Sequence, residues 1–153
     1  MNNIKIRILD SNIKKNNYSL LPRYATPGSS ALDLRASIKE KIILPSKEVT
    51  LISTGIAIYI DNPYVTALIL PRSGLGHKNG IVLGNLTGLI DSDYQGELMI
   101  SIWNRSKNNF FINPYDRIAQ IIFVPIIRPT FSIVDNFEKT SRCEKGFGHS
   151  GLY

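Results

Sequence analysis

The amino-acid sequence predicts an all-β sandwich or barrel. Short strand-like runs, turn-forming residues between them and the lack of helical periodicity of useful length carry that expectation. Ile4, Ile6 and Ile8 alternate with Lys5 and Arg7, so Lys5 to Leu9 reads as a strand and not as a charged-then-apolar export signal. Lys41 to Leu44 and Val49 to Ile60 follow as β-branched runs, and Asp61-Asn62-Pro63 supplies the residue types that reverse a chain. Val65 to Leu70 is the next strand, and a short helix is expected where Ser73 to His77 follows Pro71. Leu98 to Trp103 returns to strand composition, Lys107-Asn108-Asn109 turns the chain, and Phe110 to Ile112 continues it. Asn113-Pro114-Tyr115-Asp116 turns it again before Ile118 to Ile127. Residues 1–135 are expected as one core and residues 136–153 as a flexible C-terminal arm, because the apolar pattern stops at Asn136 and Gly146, Gly148 and Gly151 follow.

Composition narrows the function classes. A chain of 153 residues fits a single domain with a sizeable core. With 43% apolar and 20% charged residues it reads as soluble and globular, and no run approaches the roughly 20 apolar residues of a membrane span. A cytoplasmic location without a membrane partner is the expectation. One cysteine, Cys143, excludes an intrachain disulfide or a multi-thiolate metal site, and two histidines, His77 and His149, are too few for a histidine cluster. The net charge of +6 favours anions, but its lysines and arginines form no basic helix or zinc-finger spacing, so nucleic acid is not an expected partner.

Several segments carry possible chemistry. In Gly84 to Ser101 a glycine-punctuated turn between two strand-like runs, expected as a hairpin, presents Asp91 beside Tyr94. Taken alone, Asp91 and Asp93 read more readily as local Asx turns. Pro71 to Gly80 combines Arg72, Ser73 and Gly74 where a strand ends, which suits an anion, although a plain glycine turn is an equal reading. Asp33 alternates with Leu32 and Leu34, where it could meet a metal-bound water or pair with a cation. Gln120 interrupts the apolar strand DRIAQIIF and needs a partner from a ligand or a neighbouring backbone. Arg142, Phe147 and Ser150 put a cation, a ring and a hydroxyl on the arm, a set suited to closing over a nucleotide.

In this order, SSALDLRA, PRSGLG, GNLTGLIDSDYQG, DRIAQIIF and RCEKGFGHSG closely resemble the motifs of the trimeric dUTP pyrophosphatases, or dUTPases, of bacterial type. The resemblance runs from about Tyr24 to Gly151 and implies a distorted jelly-roll β-barrel. It further implies hydrolysis of dUTP to dUMP and pyrophosphate, which limits uracil in DNA and supplies the dTMP precursor. Sites would lie at the subunit interfaces of a homotrimer. Mg²⁺ would be held mainly through substrate phosphates and waters, with no direct protein ligand assigned.

By the same resemblance, Asp91 would orient and deprotonate the water that attacks the α-phosphorus, a role worth roughly 10²- to 10⁴-fold. Tyr94 would pack on the deoxyribose and exclude a 2′-hydroxyl. Asn85, with Leu89, Ile90, Met99 and backbone groups of the same segment, would hold the uracil. Arg72, Ser73 and Gly74 would bind phosphate oxygens from a neighbouring subunit, with Gln120 near the α-phosphate and Asp33 in a supporting role. Phe147 would cover the uracil, and Arg142 with Ser150 would reach the γ-phosphate. Ala31, Cys143 and Lys145 stand where the family commonly has glycine, so a positive φ in the arm would strain by about 1 kcal/mol. Three rivals stand beside this reading: a dCTP deaminase of the same fold, which needs a glutamate on the strand after the turn, where LMISIWN has none; a non-catalytic jelly-roll trimer that binds nucleotides or a protein partner; and a nucleic-acid-binding β-barrel, which wants exposed aromatics interleaved with basic residues, a pattern absent here.

Overall fold

The structure, a computed structural model, describes residues 3–146. The chain runs through β1 (Lys5–Ile8), α1 (Ser11–Lys15), β2 (Leu32–Arg35), β3 (Ile42–Leu44), β4 (Val49–Tyr59) and β5 (Val65–Leu70). A π-helical turn (Leu75–Asn79) precedes β6 (Ile81–Leu83), β7 (Gly88–Ile90), β8 (Glu97–Asn104), β9 (Phe110–Ile112) and β10 (Arg117–Pro125). The strands form two four-stranded antiparallel sheets, ordered β1-β4-β8-β6 and β2-β10-β5-β7, with β3-β9 as a separate ribbon. Within every sheet the neighbours come from distant parts of the chain, as in a jelly roll.

Alternation explains which face each strand buries. In β8, Leu98, Ile100, Ile102 and Asn104 are buried while the residues between them are more open. Ile52, Ile56, Ile100 and Ile102 of the first sheet form one core with Leu34, Ala67, Ile69 and Ile121 of the second. Burial of each of these Leu and Ile side chains stabilises the fold by about 1.5–3 kcal/mol. Asn104 is the polar exception, with no exposure. Its Nδ2 donates to the carbonyls of Leu44 (3.0 Å) and Asn108 (2.8 Å), and its Oδ1 accepts from the Ser106 N–H (3.0 Å) and hydroxyl (2.7 Å). One side chain therefore ties β8 to the ribbon.

The short elements add to what the sequence pattern offers. Helix α1 lies at Ser11–Lys15, where Asp10 caps it by accepting from the Asn12 N–H at 2.8 Å; five residues are too few to leave a periodic signature. The helix expected at Ser73–His77 is present: Ser73 and Gly74 are α-helical and run on into the π-helical turn, with the Gly76 N–H donating to the Arg72 carbonyl at 2.9 Å. It ends at Gly80, whose φ of +68° suits glycine. Strands β6 and β7 are each three residues long and are set by their sheet partners more than by composition.

Beyond β10, residues 126–146 form no strand, and Ile127, Phe131, Ile133 and Phe137 are at least nine-tenths exposed. Among the described residues no helix is long and apolar enough to cross a membrane.

Candidate active site

The second sheet brings three of the sequence segments together. Across β2, β10 and β5 the register aligns Asp33 with Gln120, and Gln120 with Leu70. Leu34, Ala119 and Ile121 on these strands point into the core, so Asp33 and Gln120 share the outer face. Pro71 and Arg72 leave β5 beside them. The Asp33 carboxylate takes Arg72 Nε at 2.8 Å on one oxygen and Arg117 Nη1 at 3.1 Å on the other. Arg72 Nη1 also donates to the Arg117 carbonyl at 3.1 Å, which fixes the guanidinium and leaves Nη2 without a partner among the described residues. Gln120 Nε2 donates to the Pro71 carbonyl at 2.9 Å, so its partner is a neighbouring backbone group and it steadies the turn that carries Arg72. The result is an open cleft of about 670 Å³ lined by Asp33, Arg72, Ser73, Gly74, Arg117 and Gln120.

Gly74 is informative in this cleft. Its φ is −64°, and an added Cβ would find nothing within 4 Å. Neither backbone strain nor packing within the chain requires glycine there, whereas close approach of a ligand to the backbone would. Ser73 beside it is exposed.

Asp91 and Tyr94 occupy a different place. Leu89 and Ile90 pair with Leu68 and Ala67 in the second sheet, and the Ile90 carbonyl accepts from the Thr66 hydroxyl at 2.7 Å. The chain then crosses to the first sheet at Glu97. The expected hairpin is thus corrected: β6 and β8 pair with each other, the Gly84 N–H reaching the Ser101 carbonyl at 2.9 Å, while β7 between them belongs to the opposite sheet. Gly84 sits close against that closure, where a Cβ would lie 2.6 Å from Ser101 Oγ and 3.0 Å from Val49 Cγ1. Asn85, Leu86 and Leu89 stand exposed along the excursion, with Met99 open on β8.

Within the excursion the Tyr94 N–H donates to the Asp91 carbonyl at 3.2 Å, which turns the chain and holds carboxylate and ring on one loop. The Tyr94 hydroxyl donates to the Glu97 carbonyl at 2.9 Å, and the ring lies over Gly96, where a Cβ would come within 2.6 Å of Cζ. The Asp91 side chain is exposed and opens on a cleft of about 540 Å³ shared with Tyr59, Asp61, Asp93 and Arg128. Asp61 of that cleft is met by Lys5 Nζ at 2.8 Å. The hydrogen bond and charge of Lys5 hold the Asp61 carboxyl below its ordinary range, assisted by the Tyr59 hydroxyl.

Asp91 therefore follows β7 at the Thr66 end of β5, and Arg72 follows the Leu70 end. At about 3.3 Å per residue the two lie roughly 20 Å apart within one chain. Arg142 closes a turn of its own, its Nε donating to the Lys145 carbonyl at 3.0 Å. Cys143 in that turn has a φ of +47°, the strained sign for a residue other than glycine. Phe147 and Ser150 lie outside the described residues.

Two participants went unmarked in the sequence. Arg117 was visible only as the neighbour of Asp116, and its pairing with Asp33 depends on the β2–β10 register. Glu97 opens β8, so the strand after the turn does carry a carboxylate, contrary to the reading of LMISIWN. It is occupied structurally, accepting from the Ser53 hydroxyl and from the Gly55 N–H at 2.8 Å, at the bulge where β4 changes register. Among the described residues no three of His, Cys, Asp and Glu gather as a metal cage. Beside the cradle both oxygens of Asp33 are taken by Arg72 and Arg117, so a hard cation such as Mg²⁺, which keeps several waters and few protein ligands, would be carried on phosphates.

A jelly roll with an Arg-Ser-Gly turn at one end of a strand and an exposed carboxylate beside a ring at the other falls in the class of nucleotide hydrolases. A family model described as dUTPase matches residues 17–151, and the chain belongs to that family. It is 83% identical over 151 residues, 99% of this chain and 95% of the relative, to the deoxyuridine 5′-triphosphate nucleotidohydrolase of Buchnera aphidicola subsp. Schizaphis graminum. The enzyme of that name from Legionella pneumophila (strain Paris) is 57% identical, with 98% of this chain and 97% of the relative covered. Among solved structures, a mutant dUTPase of Staphylococcus bacteriophage 80alpha with dUpNHpp superposes with a TM-score of 0.83 at 27% identity, covering 99% of this chain and 100% of that one. A mutant dUTPase from phage phi11 of S. aureus, described with a coordinated structural Mg(II) ion, has a TM-score of 0.77 at 26% identity and covers 90% of this chain and 100% of its own.

Proposed function

We propose that this chain hydrolyses dUTP to dUMP and pyrophosphate at sites completed between copies of itself in a cytoplasmic homotrimer. The observation that carries the reading is the separation of Arg72 from Asp91 at opposite ends of β5, each exposed to its own cleft. One nucleotide can use both only if the second comes from a neighbouring copy.

In this reading Arg72, Ser73 and the Gly74 backbone of one copy hold phosphate oxygens through charge-assisted hydrogen bonds. Asp33 holds Arg72 in place by ion pairing, and Gln120 keeps the turn in register through Pro71. Asp91 of the next copy accepts a proton from a water as that water's oxygen bonds to the α-phosphorus. The bond from the α-phosphorus to its bridging oxygen breaks, and that oxygen leaves with pyrophosphate. Mg²⁺ bound to the triphosphate supplies neutralisation of phosphate charge. Tyr94, pinned by Glu97 over Gly96, is rigid enough to reject a 2′-hydroxyl at the sugar. Asn85, Leu89, Ile90 and Met99 surround the base in the same reading, and the arm with Arg142, Phe147 and Ser150 closes over it. Exclusion of water by that closure strengthens the phosphate contacts.

The test is a panel of dUTP, dCTP, dTTP and UTP with magnesium, scored for pyrophosphate release and for base deamination. Pyrophosphate from dUTP alone is expected. Deamination of dCTP, or comparable release from UTP, overturns the reading.

A further inference from the structure

A second polar cleft, of about 430 Å³, lies against the phosphate cradle and has no part in the reaction above. Arg23, Arg35, Arg117 and Asp33 line it, with Tyr24. Asp33 and Arg117 line the cradle cleft as well, so this ion pair is the partition between the two.

The charges in this partitioned space do not balance. Arg23, Arg35, Arg72 and Arg117 face one carboxylate, Asp33, whose two oxygens are taken by Arg72 and Arg117. Among the described residues neither Arg23 nor Arg35 forms an ion pair, and Arg35 Nη1 is satisfied only by the Tyr115 carbonyl at 3.0 Å. Arg35 shows the result. Burial first, and then the charge of Arg117, hold its guanidinium below the ordinary value; Asp33 opposes this, and Arg23 and Arg72 add to it. A bound anion relieves both the desolvation and the mutual repulsion.

We propose that the Arg23–Arg35–Arg117 cleft is a second anion subsite that takes inorganic pyrophosphate. The proposal rests on the hydrolysis reading for its choice of anion, since pyrophosphate is released on the other side of the Asp33–Arg117 partition. Guanidinium forks match the paired oxygens of a phosphoryl group, and several forks around one cleft suit a diphosphate better than a single carboxylate. Arg23, Arg35 and Arg117 less Asp33 leave this cleft an excess of two positive charges, which a diphosphate anion offsets. Occupation of this cleft while the cradle holds nucleotide makes pyrophosphate a non-competitive product inhibitor.

The test uses the full chain in its native assembly, saturated with dUpNHpp and magnesium, and titrates inorganic pyrophosphate by calorimetry. One further pyrophosphate per chain is expected, with orthophosphate far weaker at matched ionic strength. Arg23 is exposed, and Arg23→Ser is expected to weaken that binding roughly ten- to hundredfold while dUpNHpp affinity and kcat/KM for dUTP stay unchanged. No uptake with dUpNHpp in place, or equal uptake by Arg23→Ser, overturns the proposal. Equal weakening of dUpNHpp by Arg23→Ser also overturns it, by making Arg23 part of the substrate site. If dUpNHpp itself does not bind wild type, the hydrolysis reading fails separately, and titration of the nucleotide-free protein still decides whether Arg23→Ser removes a pyrophosphate site.

Discussion

Mixing two inactive variants tests whether the cradle and the carboxylate of one site come from different copies. Arg72→Ala removes the cation of the cradle and Asp91→Asn removes the proton acceptor; each homo-oligomer is expected to lose at least about 10²-fold in turnover. Within one chain the two residues are separated by the length of β5, roughly 20 Å at 3.3 Å per residue. Arg72 is moreover turned toward Asp33, at 2.8 Å, and not along the strand toward Asp91. A water within about 3 Å of Asp91 is therefore beyond the reach of a phosphate held by the same chain. When the variants are unfolded together at equal concentration and refolded, random assortment pairs an intact cradle with an intact carboxylate at about a quarter of the interfaces. Pyrophosphate release from dUTP should climb from near zero to roughly a quarter of the wild-type rate. Light scattering checks that three copies assemble, and mass spectrometry checks that the chains have mixed. Activity that stays at the level of the two parents in a verified mixture refutes the intersubunit site, because sites contained in single chains cannot gain from mixing.

Other expectations follow from single contacts. Gly96→Ala puts a Cβ within 2.6 Å of Tyr94 Cζ, so the ring must leave the Glu97 carbonyl; discrimination of dUTP against UTP should fall by roughly 10–100-fold, and unchanged selectivity in kcat/KM removes Tyr94 as the sugar gate. Asn104→Ala strands several buried backbone and hydroxyl groups and should cost about 3–5 kcal/mol, seen as a drop in Tm of roughly 6–20 °C by calorimetry; a drop under about 2 °C contradicts its role as a tie. The Asp10 carboxyl is raised by burial, but hydrogen bonds from the Asn12 N–H and from the Ser37 and Tyr115 hydroxyls outweigh this and hold it below 3.8. Its folded value is lowered, so its contribution is present above the unfolded value and is lost as pH falls through the folded one. Denaturant titrations from about pH 6 to below 3.8 should therefore show the advantage of wild type over Asp10→Asn shrinking with acid, and a constant gap argues against the linkage.

Local physics made much of this protein legible before its fold was known. Val65 to Leu70 and Phe110 to Ile112 form strands with the expected bounds, because β-branched and aromatic residues between turn formers have few other ways to bury themselves. The need of Gln120 for a partner was also legible, since it interrupts an apolar strand, and the Pro71 carbonyl meets it. Short elements were not: α1, β6 and β7 leave too brief a pattern, and their formation depends on what packs against them.

The sequence by itself determined the all-β class, the order of the motifs and the family they resemble, because these depend on residue type and spacing along the chain. Tertiary structure alone decided that Asp33 aligns with Gln120 and draws in Arg117, that the Asp91 loop crosses between sheets, and that Glu97 is held by the β4 bulge. It also decided that Arg72 and Asp91 sit at opposite ends of β5. The physical reason is that strand pairing is non-local: register sets which side chains share a face, and no window of neighbouring residues contains that information.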